Sequence, residues 1–272
     1  MPDLSVIIVN YNDRPHLEDC LLSIRKEEQY VDLEIILVDN ASTDGSQALV
    51  QKSFPNIRLI QNRENLGFSR ANNKGFTESS GDFILFLNTD TVLCSGALKI
   101  LMDWMKNTPE AGAAGPVLFG KENIFQVSFG FKRGFFNEMA LKMFLNSVYR
   151  RKIIRMETIK EVDWVSGACL FIRRIAFEQA GAFDEHFFLY YEDIDLCYRI
   201  KNKGWKIAFV PQARIFHEGG ASTSSLSIKS RYIYRESQIY FYRKHNSKLS
   251  RILLRCFLRK TLNRIHEKDK NT

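Results

Sequence analysis

Glu34-Ile-Ile-Leu-Val38-Asp39 and Phe83-Ile-Leu-Phe-Leu87-Asn-Thr-Asp90 decide the architecture. Each is a short, unbroken apolar run, the pattern of a parallel strand buried on both faces; alternation would mark a strand with one wet face. Each run also closes on a carboxylate. Ligands of open α/β sheets sit beyond the carboxyl ends of the strands, so Asp39 and Asp90 are expected to face one site. A third acidic group, Glu192-Asp193-Ile-Asp195, lies well downstream.

Working outward, strand and helix alternate. A strand at 4–10 precedes a helix around 17–25, and Ser42-Thr-Asp44-Gly45 opens another helix after Val38. A short strand is expected near 57–60, a helix over 69–79, and a helix over 96–106 closed by Thr108-Pro109. This order predicts an α/β fold with a mainly parallel sheet, helices on both faces and right-handed crossovers. Past Gly115-Pro116 the periodicity weakens, and residues 120–160 read as an insert or a mobile loop. Regularity returns as one apolar stretch over 162–172, a helix from Arg174 to about Gly181, a helix over 193–203 stopped by Gly204, and a strand over 205–210.

At 272 residues, 45% hydrophobic and 26% charged, the chain has the composition of a folded protein and excludes a disordered one. The first residues enter a strand with no charged region before a longer apolar stretch, which predicts no secretory leader. No apolar run approaches the roughly 18–20 residues that span a bilayer. Five dispersed cysteines without a CxxC pair argue against a disulfide framework or zinc site and fit a reducing cytoplasm.

The charge is concentrated at one end. Residues 226–272 carry 13 Lys or Arg against 3 Asp or Glu, whereas the other 225 residues carry 26 against 28. A second basic cluster is Arg150-Arg-Lys152 with Arg155. The division expected is 1–225 as a catalytic domain and 226–272 as a basic helical tail. In the tail, Leu249, Ile252, Leu253, Cys256 and Phe257 recur at helical spacing beside a stripe of Arg251, Arg255 and Arg259. Such a helix suits an anionic membrane surface, or packs on the body with its basic face solvated; both readings stand. Nucleic acid has no further support in the chain. Tyr232, Tyr234 and Tyr240 could serve a dimer or a membrane, which leaves the oligomeric state open.

Six blocks, in order, carry a resemblance: Ser5-Val-Ile-Ile-Val-Asn-Tyr-Asn12, Val38-Asp-Asn-Ala-Ser-Thr-Asp-Gly-Ser46, Asn65-Leu-Gly-Phe68 with Ala71-Asn-Asn-Lys-Gly75, Leu87-Asn-Thr-Asp-Thr91, Gly181-Ala-Phe-Asp-Glu185 and Phe188-Leu-Tyr-Tyr-Glu-Asp-Ile-Asp-Leu-Cys-Tyr-Arg199. Together they resemble the family 2 glycosyltransferases, and within them the rhamnosyltransferase-like branch. The resemblance implies a GT-A fold, a Rossmann-like domain that binds a nucleoside diphosphate sugar. It places Asn10, Tyr11 and Asp39 at the nucleoside, with Asn65 among the substrate-binding positions. Asn88-Thr-Asp90 stands at the family's DxD motif with its first acid replaced, which leaves Asp90 for the metal and Asn88 for substrate. His217, in Ile215-Phe-His-Glu-Gly219, matches an additional metal ligand. The implied cofactor is Mg²⁺ or Mn²⁺, the imidazole favouring Mn²⁺.

Asp193 matches the general base of an inverting displacement, with Glu192 beside it for substrate. Both open a predicted helix, whose dipole favours negative charge. Trp164 and the Ser166-Gly167-Ala168 turn are expected to shape the sugar pocket, Gly167 by allowing close backbone approach. Local roles compete with these: Asp44 reads better as a helix cap, Asp195 and Arg199 pair as an i,i+4 bridge, His217 could be a strand-end histidine, Trp164 could be core, and the cysteines read as core. The function implied is transfer of a sugar, rhamnose from dTDP-rhamnose in the first reading, to a cell-surface or lipid-linked glycan. The alternatives are a UDP-sugar donor, or a sugar-nucleotide-binding subunit without turnover. A cytoplasmic protein, peripheral on the inner face of the plasma membrane if the tail binds lipid, completes the expectation.

Overall fold

The computed structural model describes residues 1–132, 134–135, 157–219 and 228–269. The centre of the irregular 120–160 stretch, with the Arg150 cluster, lies outside the described residues. The first half runs β1 (Leu4–Asn10), α1 (Arg14–Glu27), β2 (Leu33–Asp39), α2 (Ser46–Ser53), β3 (Arg58–Gln61), α3 (Gly67–Thr77) and β4 (Phe83–Asn88). The unbroken apolar runs become buried strands, and β1 lies between β2 and β4, parallel to both. Chain order reverses at β1, because β2 and β3 build one side before β4 returns to the other. Asn10 pairs in register with Asp39, and Val9 with Asn88, so this switch point gathers the polar strand ends. Asp44 caps both neighbouring helices: its carboxylate accepts from the backbone N–H of Arg14 at 2.8 Å and of Ser46 at 3.0 Å.

The second half comprises β5 (Thr91–Leu93), α4 (Ala97–Asn107), β6 (Ala111–Phe119), β7 (Phe125–Gln126), β8 (Phe129–Gly130), β9 (Lys160–Glu161), β10 (Trp164–Val165) and β11 (Cys169–Arg173). It continues with α5 (Arg174–Ala180), α6 (Glu192–Asn202), β12 (Lys206–His217), α7 (Ile228–His245) and α8 (Lys248–Asp269). The main sheet has the order β3-β2-β1-β4-β11-β6-β12-β5. β11 runs antiparallel to β4 and β6, which makes the mainly parallel sheet mixed.

Three expectations change here. The stretch over 162–172 breaks at Ser166-Gly167-Ala168, sending β10 to a separate pairing with β8 and β11 into the main sheet. The strand expected to stop at Val210 continues to His217, with a register shift between Val210 and Arg214 around Pro211. β6 lacks the β-branched run of a typical strand because its neighbours demand small residues. A Cβ on Gly115 would lie 2.6 Å from the Val165 side chain, and one on Gly112 would lie 2.7 Å from that of Trp205.

One face of the sheet buries Leu17, Leu21 and Ile24 of α1 with Leu98, Leu101 and Met105 of α4; the other buries Phe177 of α5, Leu196 and Ile200 of α6 and Phe241 of α7. Full burial of a side chain such as Phe241 contributes about 2–3 kcal/mol. The tail's first helix is thus part of the core. Tyr234 packs edge-on to Tyr190, and the Tyr240 hydroxyl donates to Asp184 at 3.0 Å, so these two aromatics are spent on the body. The apolar stripe of α8 faces the other way from a packing role. Leu254 and Leu258 are the buried residues, whereas Leu249, Ile252 and Phe257 are 60%, 49% and 45% exposed. Phe257 packs edge-on against the ring of Phe135.

Candidate active site

The end of the site at β1, β2 and β3 is assembled by short loops. The side-chain amide of Asn10 donates to Asp39 Oδ1 and to Ser42 Oγ, both at 3.0 Å. Asp39 Oδ2 accepts from the Ser42 backbone N–H at 2.9 Å and from Gln47 Nε2 at 2.6 Å. Asp39 and Asn10 are fully buried, and Asn10 Oδ1 has no partner among the described residues. Asp39 therefore organises the ends of β1 and β2, while Tyr11 beside them is 52% exposed. Asn65 holds its own loop: Oδ1 accepts from Gly67 N–H at 2.9 Å and from Asn40 Nδ2 at 3.2 Å. Gly67, at φ +80°, must be glycine, since a Cβ would sit 2.6 Å from the Phe188 carbonyl oxygen. Phe68 N–H donates to that same oxygen at 2.7 Å, joining two motifs 120 residues apart.

Asp90 and His217 meet through strand register. β5 pairs antiparallel with the end of β12, Thr91 opposite His217, and the Glu218 N–H donates to the Asp90 carbonyl at 2.9 Å. This brings His217 Nε2 to 3.3 Å from Asp90 Oδ1. Gln126 accepts at 2.5 Å from His217 Nδ1 and donates to the His217 carbonyl at 2.7 Å. With Nδ1 carrying the proton, the Nε2 lone pair points towards Asp90, the tautomer a metal ligand needs. Burial alone would raise the Asp90 pKa. When His217 is protonated, its hydrogen bond and charge, with backbone N–H groups including that of Gly219, outweigh it and hold the carboxyl below its usual range. Among the described residues no cluster of three or more His, Cys, Asp or Glu is present, so a cation here would take two protein ligands. That donor set fits Mg²⁺ or Mn²⁺, whose remaining positions are filled by substrate oxygen and water.

The third acid reaches the same end of the sheet through the Ser166-Gly167-Ala168 turn. Asn88 N–H donates to the Ala168 carbonyl at 3.0 Å, and Gly167 N–H donates to Asp193 Oδ2 at 2.8 Å. Ile194 N–H holds Oδ1 at 2.8 Å. A Cβ on Gly167 would lie 3.2 Å from that of Asp193, so glycine sets the spacing. Tyr190 and Tyr191, at φ 71° and 70°, turn the chain into α6 through the left-handed region. Such backbone costs of order 1–3 kcal/mol per residue and persists only where packing over-determines it. Here the packing comes from α7, through the ring of Phe241 against Tyr191 and the Ser237 hydroxyl donating to the Leu189 carbonyl at 2.8 Å.

Glu192 behaves unlike its neighbour. It is 5% exposed, its Oε2 has no partner among the described residues, and burial foremost, then the Asp193 and Asp195 charges, push its pKa well up. Burial and the neighbouring carboxylates thus favour the protonated form of Glu192 more than that of an ordinary glutamate. Trp164, 6% exposed, donates from Nε1 to the Phe131 carbonyl at 3.2 Å and covers Gly130, which puts its ring in the core behind the 166–168 turn. Burial pushes the Cys20 and Cys197 thiols up to about 12, so neither is a nucleophile at neutral pH.

Sequence reasoning overlooked the partners that orient this site. Asp195, fully buried, pairs with Arg199 at 2.8 Å as expected, but also with Lys244 at 2.8 Å and His245 at 2.6 Å from α7. Burial would raise its pKa; the hydrogen bond from His245 and the charges of Arg199 and Lys244 reverse this and lower it. Gln47 and Gln126 were equally silent, since a lone glutamine carries no motif.

A profile of glycosyl transferase family 2 matches residues 5–180. The chain is 32% identical to the N-acetylglucosaminyl-diphospho-decaprenol L-rhamnosyltransferase of Mycobacterium tuberculosis, over 95% of this chain and 90% of that one. It is 30% identical to the GalNAc(5)-diNAcBac-PP-undecaprenol beta-1,3-glucosyltransferase of Campylobacter jejuni, over 63% and 59% of the two chains. Among solved structures it resembles the mannosyltransferase PcManGT from Pyrobaculum calidifontis in complex with GDP-Man and Mn²⁺. That likeness has a TM-score of 0.63 at 19% identity and covers 89% of this chain and 64% of the other. The chain belongs to glycosyl transferase family 2, an enzyme family, and has the GT-A fold.

Proposed function

We propose that the chain is an inverting transferase that moves rhamnose from dTDP-rhamnose to a hydroxyl of a lipid-linked glycan, with an N-acetylglucosaminyl diphosphate polyprenol as the first acceptor to try. The observation that carries this reading is the single turn at 166–168. It grips the Asn88 end of β4 with one group and the Asp193 carboxylate with another, so base and donor motif are positioned as one piece.

Asp193 accepts the proton of the acceptor hydroxyl as that oxygen attacks the anomeric carbon opposite the diphosphate. The Gly167 N–H keeps Oδ2 oriented. Asn10, Tyr11, Asp39 and Asn65 hold the nucleoside, Asn88 and Glu192 face the sugar, and Trp164 with Gly167 backs the pocket. Asp90 and His217 hold Mg²⁺ or Mn²⁺, which when bound neutralises the charge developing on the leaving diphosphate. Residues 1–225 carry the catalytic residues, α7 of the basic 226–272 segment braces them, and the remainder of that segment keeps the enzyme at the inner face of the plasma membrane. The Campylobacter relative, named a glucosyltransferase, favours a second donor reading, a UDP-hexose. Retention of Asp39, Asp90 and Asp193 together argues against a subunit without turnover.

Calorimetry with dTDP-rhamnose, UDP-glucose, UDP-GlcNAc and GDP-mannose, with and without Mn²⁺, tests the reading. Metal-dependent preference for dTDP-rhamnose, followed by transfer to the polyprenol acceptor, is the expected result. Preference for a UDP-sugar moves the second reading to first place, and donor binding without transfer to any polyprenol-linked acceptor rejects the acceptor class.

A further inference from the structure

A cleft of about 300 Å³ lies at the turn between α7 and α8. Four cations line it: Arg243 from the last turn of α7, and Lys248, Arg251 and Arg255 from the first turns of α8. Lys248, Arg251 and Arg255 are spaced i, i+3 and i, i+4, so they share one face, an arrangement of like charges that opposes helix formation unless something compensates. Among the described residues no carboxylate lines the cavity and none of the four cations has an ion pair. The body treats its cations differently: Arg58 pairs with Glu78, Lys106 with Asp3, Lys206 with Glu110, and Lys201 with Asp163. Arg251 also keeps its Nε buried without an acceptor among the described residues. Such a group is costly unless a partner arrives.

Ile239, Tyr242, Ile252 and Leu254 line the rest of the wall, and Ile252 continues outward into the exposed Leu249 on the same helix. Four cations without a carboxylate partner among the described residues call for a multiply charged anion, and guanidinium forks suit phosphate oxygens. An apolar rim adds nothing to a soluble phosphate but matches acyl chains below a headgroup. We propose that the α7–α8 cleft binds the phosphate of an anionic phospholipid, with Leu249 and Ile252 entering the adjacent acyl region. The proposal rests on the peripheral membrane placement given above, and it names the site and the chemistry that placement needs. It also fixes an orientation: α7 presents one face to α6 and another to this cleft, so the lipid surface and the base helix are joined by one element.

The full chain is tested by co-sedimentation with vesicles of phosphatidylcholine alone and of phosphatidylcholine with 30% phosphatidylglycerol, comparing wild type with Arg251→Glu/Arg255→Glu. Wild type is expected to bind the anionic vesicles only, and the double variant to lose tenfold or more in apparent affinity, on the order expected for removing two surface cations. Donor-induced thermal stabilisation should be equal in both, which separates this result from failure of the transferase reading. Should the charge reversal impair folding, Arg251→Gln/Arg255→Gln provides the same comparison with a milder change. Unchanged vesicle binding by either soluble variant overturns the cleft assignment while keeping the membrane placement. No binding by wild type overturns both. A wild type that ignores vesicles but is stabilised by inorganic pyrophosphate, with the variant not stabilised, replaces the lipid with a free phosphate ligand.

Discussion

The two halves of the site are held in different ways. The half proposed for the nucleotide is local: Asn10, Asp39, Ser42 and Gln47 bond one another around the ends of adjacent strands, all within the first 47 residues. The half around Asp193, the proposed base, is held from a distance. Asp193 stands on a helix whose entry turn is strained, and whose Asp195 is gripped by Lys244 and His245 from an element some fifty residues on. A local network survives changes elsewhere; the base half depends on the C-terminal helix being docked.

That contrast yields ordered predictions. The largest effect is expected from Asp90→Asn with His217→Ala, which should abolish metal-dependent donor stabilisation and lower transfer about 10³-fold, a loss of several kcal/mol of charge stabilisation. Thermal shift with and without Mn²⁺ checks it, and retained metal dependence would move the cation elsewhere. Next comes Asp195→Asn, which leaves Arg199, Lys244 and His245 around a neutral group. Breaking a buried ionic cluster in this way should cost about 3 kcal/mol in urea unfolding. If the variant is as stable as wild type, the C-terminal helix does not brace α6 as described. Gly167→Ala should lower kcat about tenfold with donor affinity unchanged, because the new methyl displaces Asp193 by a fraction of an ångström. Equal loss in donor affinity would show that the two halves are not separable.

The smallest effect concerns pH. Asp195 and Asp184 both have lowered pKa values; for Asp184, burial opposes and the Lys244 hydrogen bond with the His186 backbone N–H prevails. A carboxylate with a depressed folded-state pKa contributes stability that is complete above its unfolded value near 4 and is lost as pH falls through the folded value. The unfolding midpoint should therefore drop on acidification from about pH 5 to pH 3, and the drop should be shallower in Asp195→Asn.

The sequence made the nucleotide half legible because its signals are short-range: unbroken apolar runs, a carboxylate at each end, and capping residues such as Asp44. The pairing of Asp90 with His217 was legible only through resemblance, since it depends on β5, a three-residue strand with no pattern of its own. β6 was missed because Gly112 and Gly115 answer to Trp205 and Val165 rather than to strand propensity. The tail stayed open between two readings for a related reason. Its apolar stripe lies beside the buried positions Leu254 and Leu258, and nothing local tells a helix which side its partner occupies.

The most direct test of the account is Asp193→Asn, measured for donor affinity by calorimetry and for transfer rate on the same preparation. The account predicts a donor Kd within about twofold of wild type and a rate lower by roughly 10²–10⁴, the range for loss of a general base. A variant that transfers at the wild-type rate, or that loses donor affinity in step with rate, would contradict it.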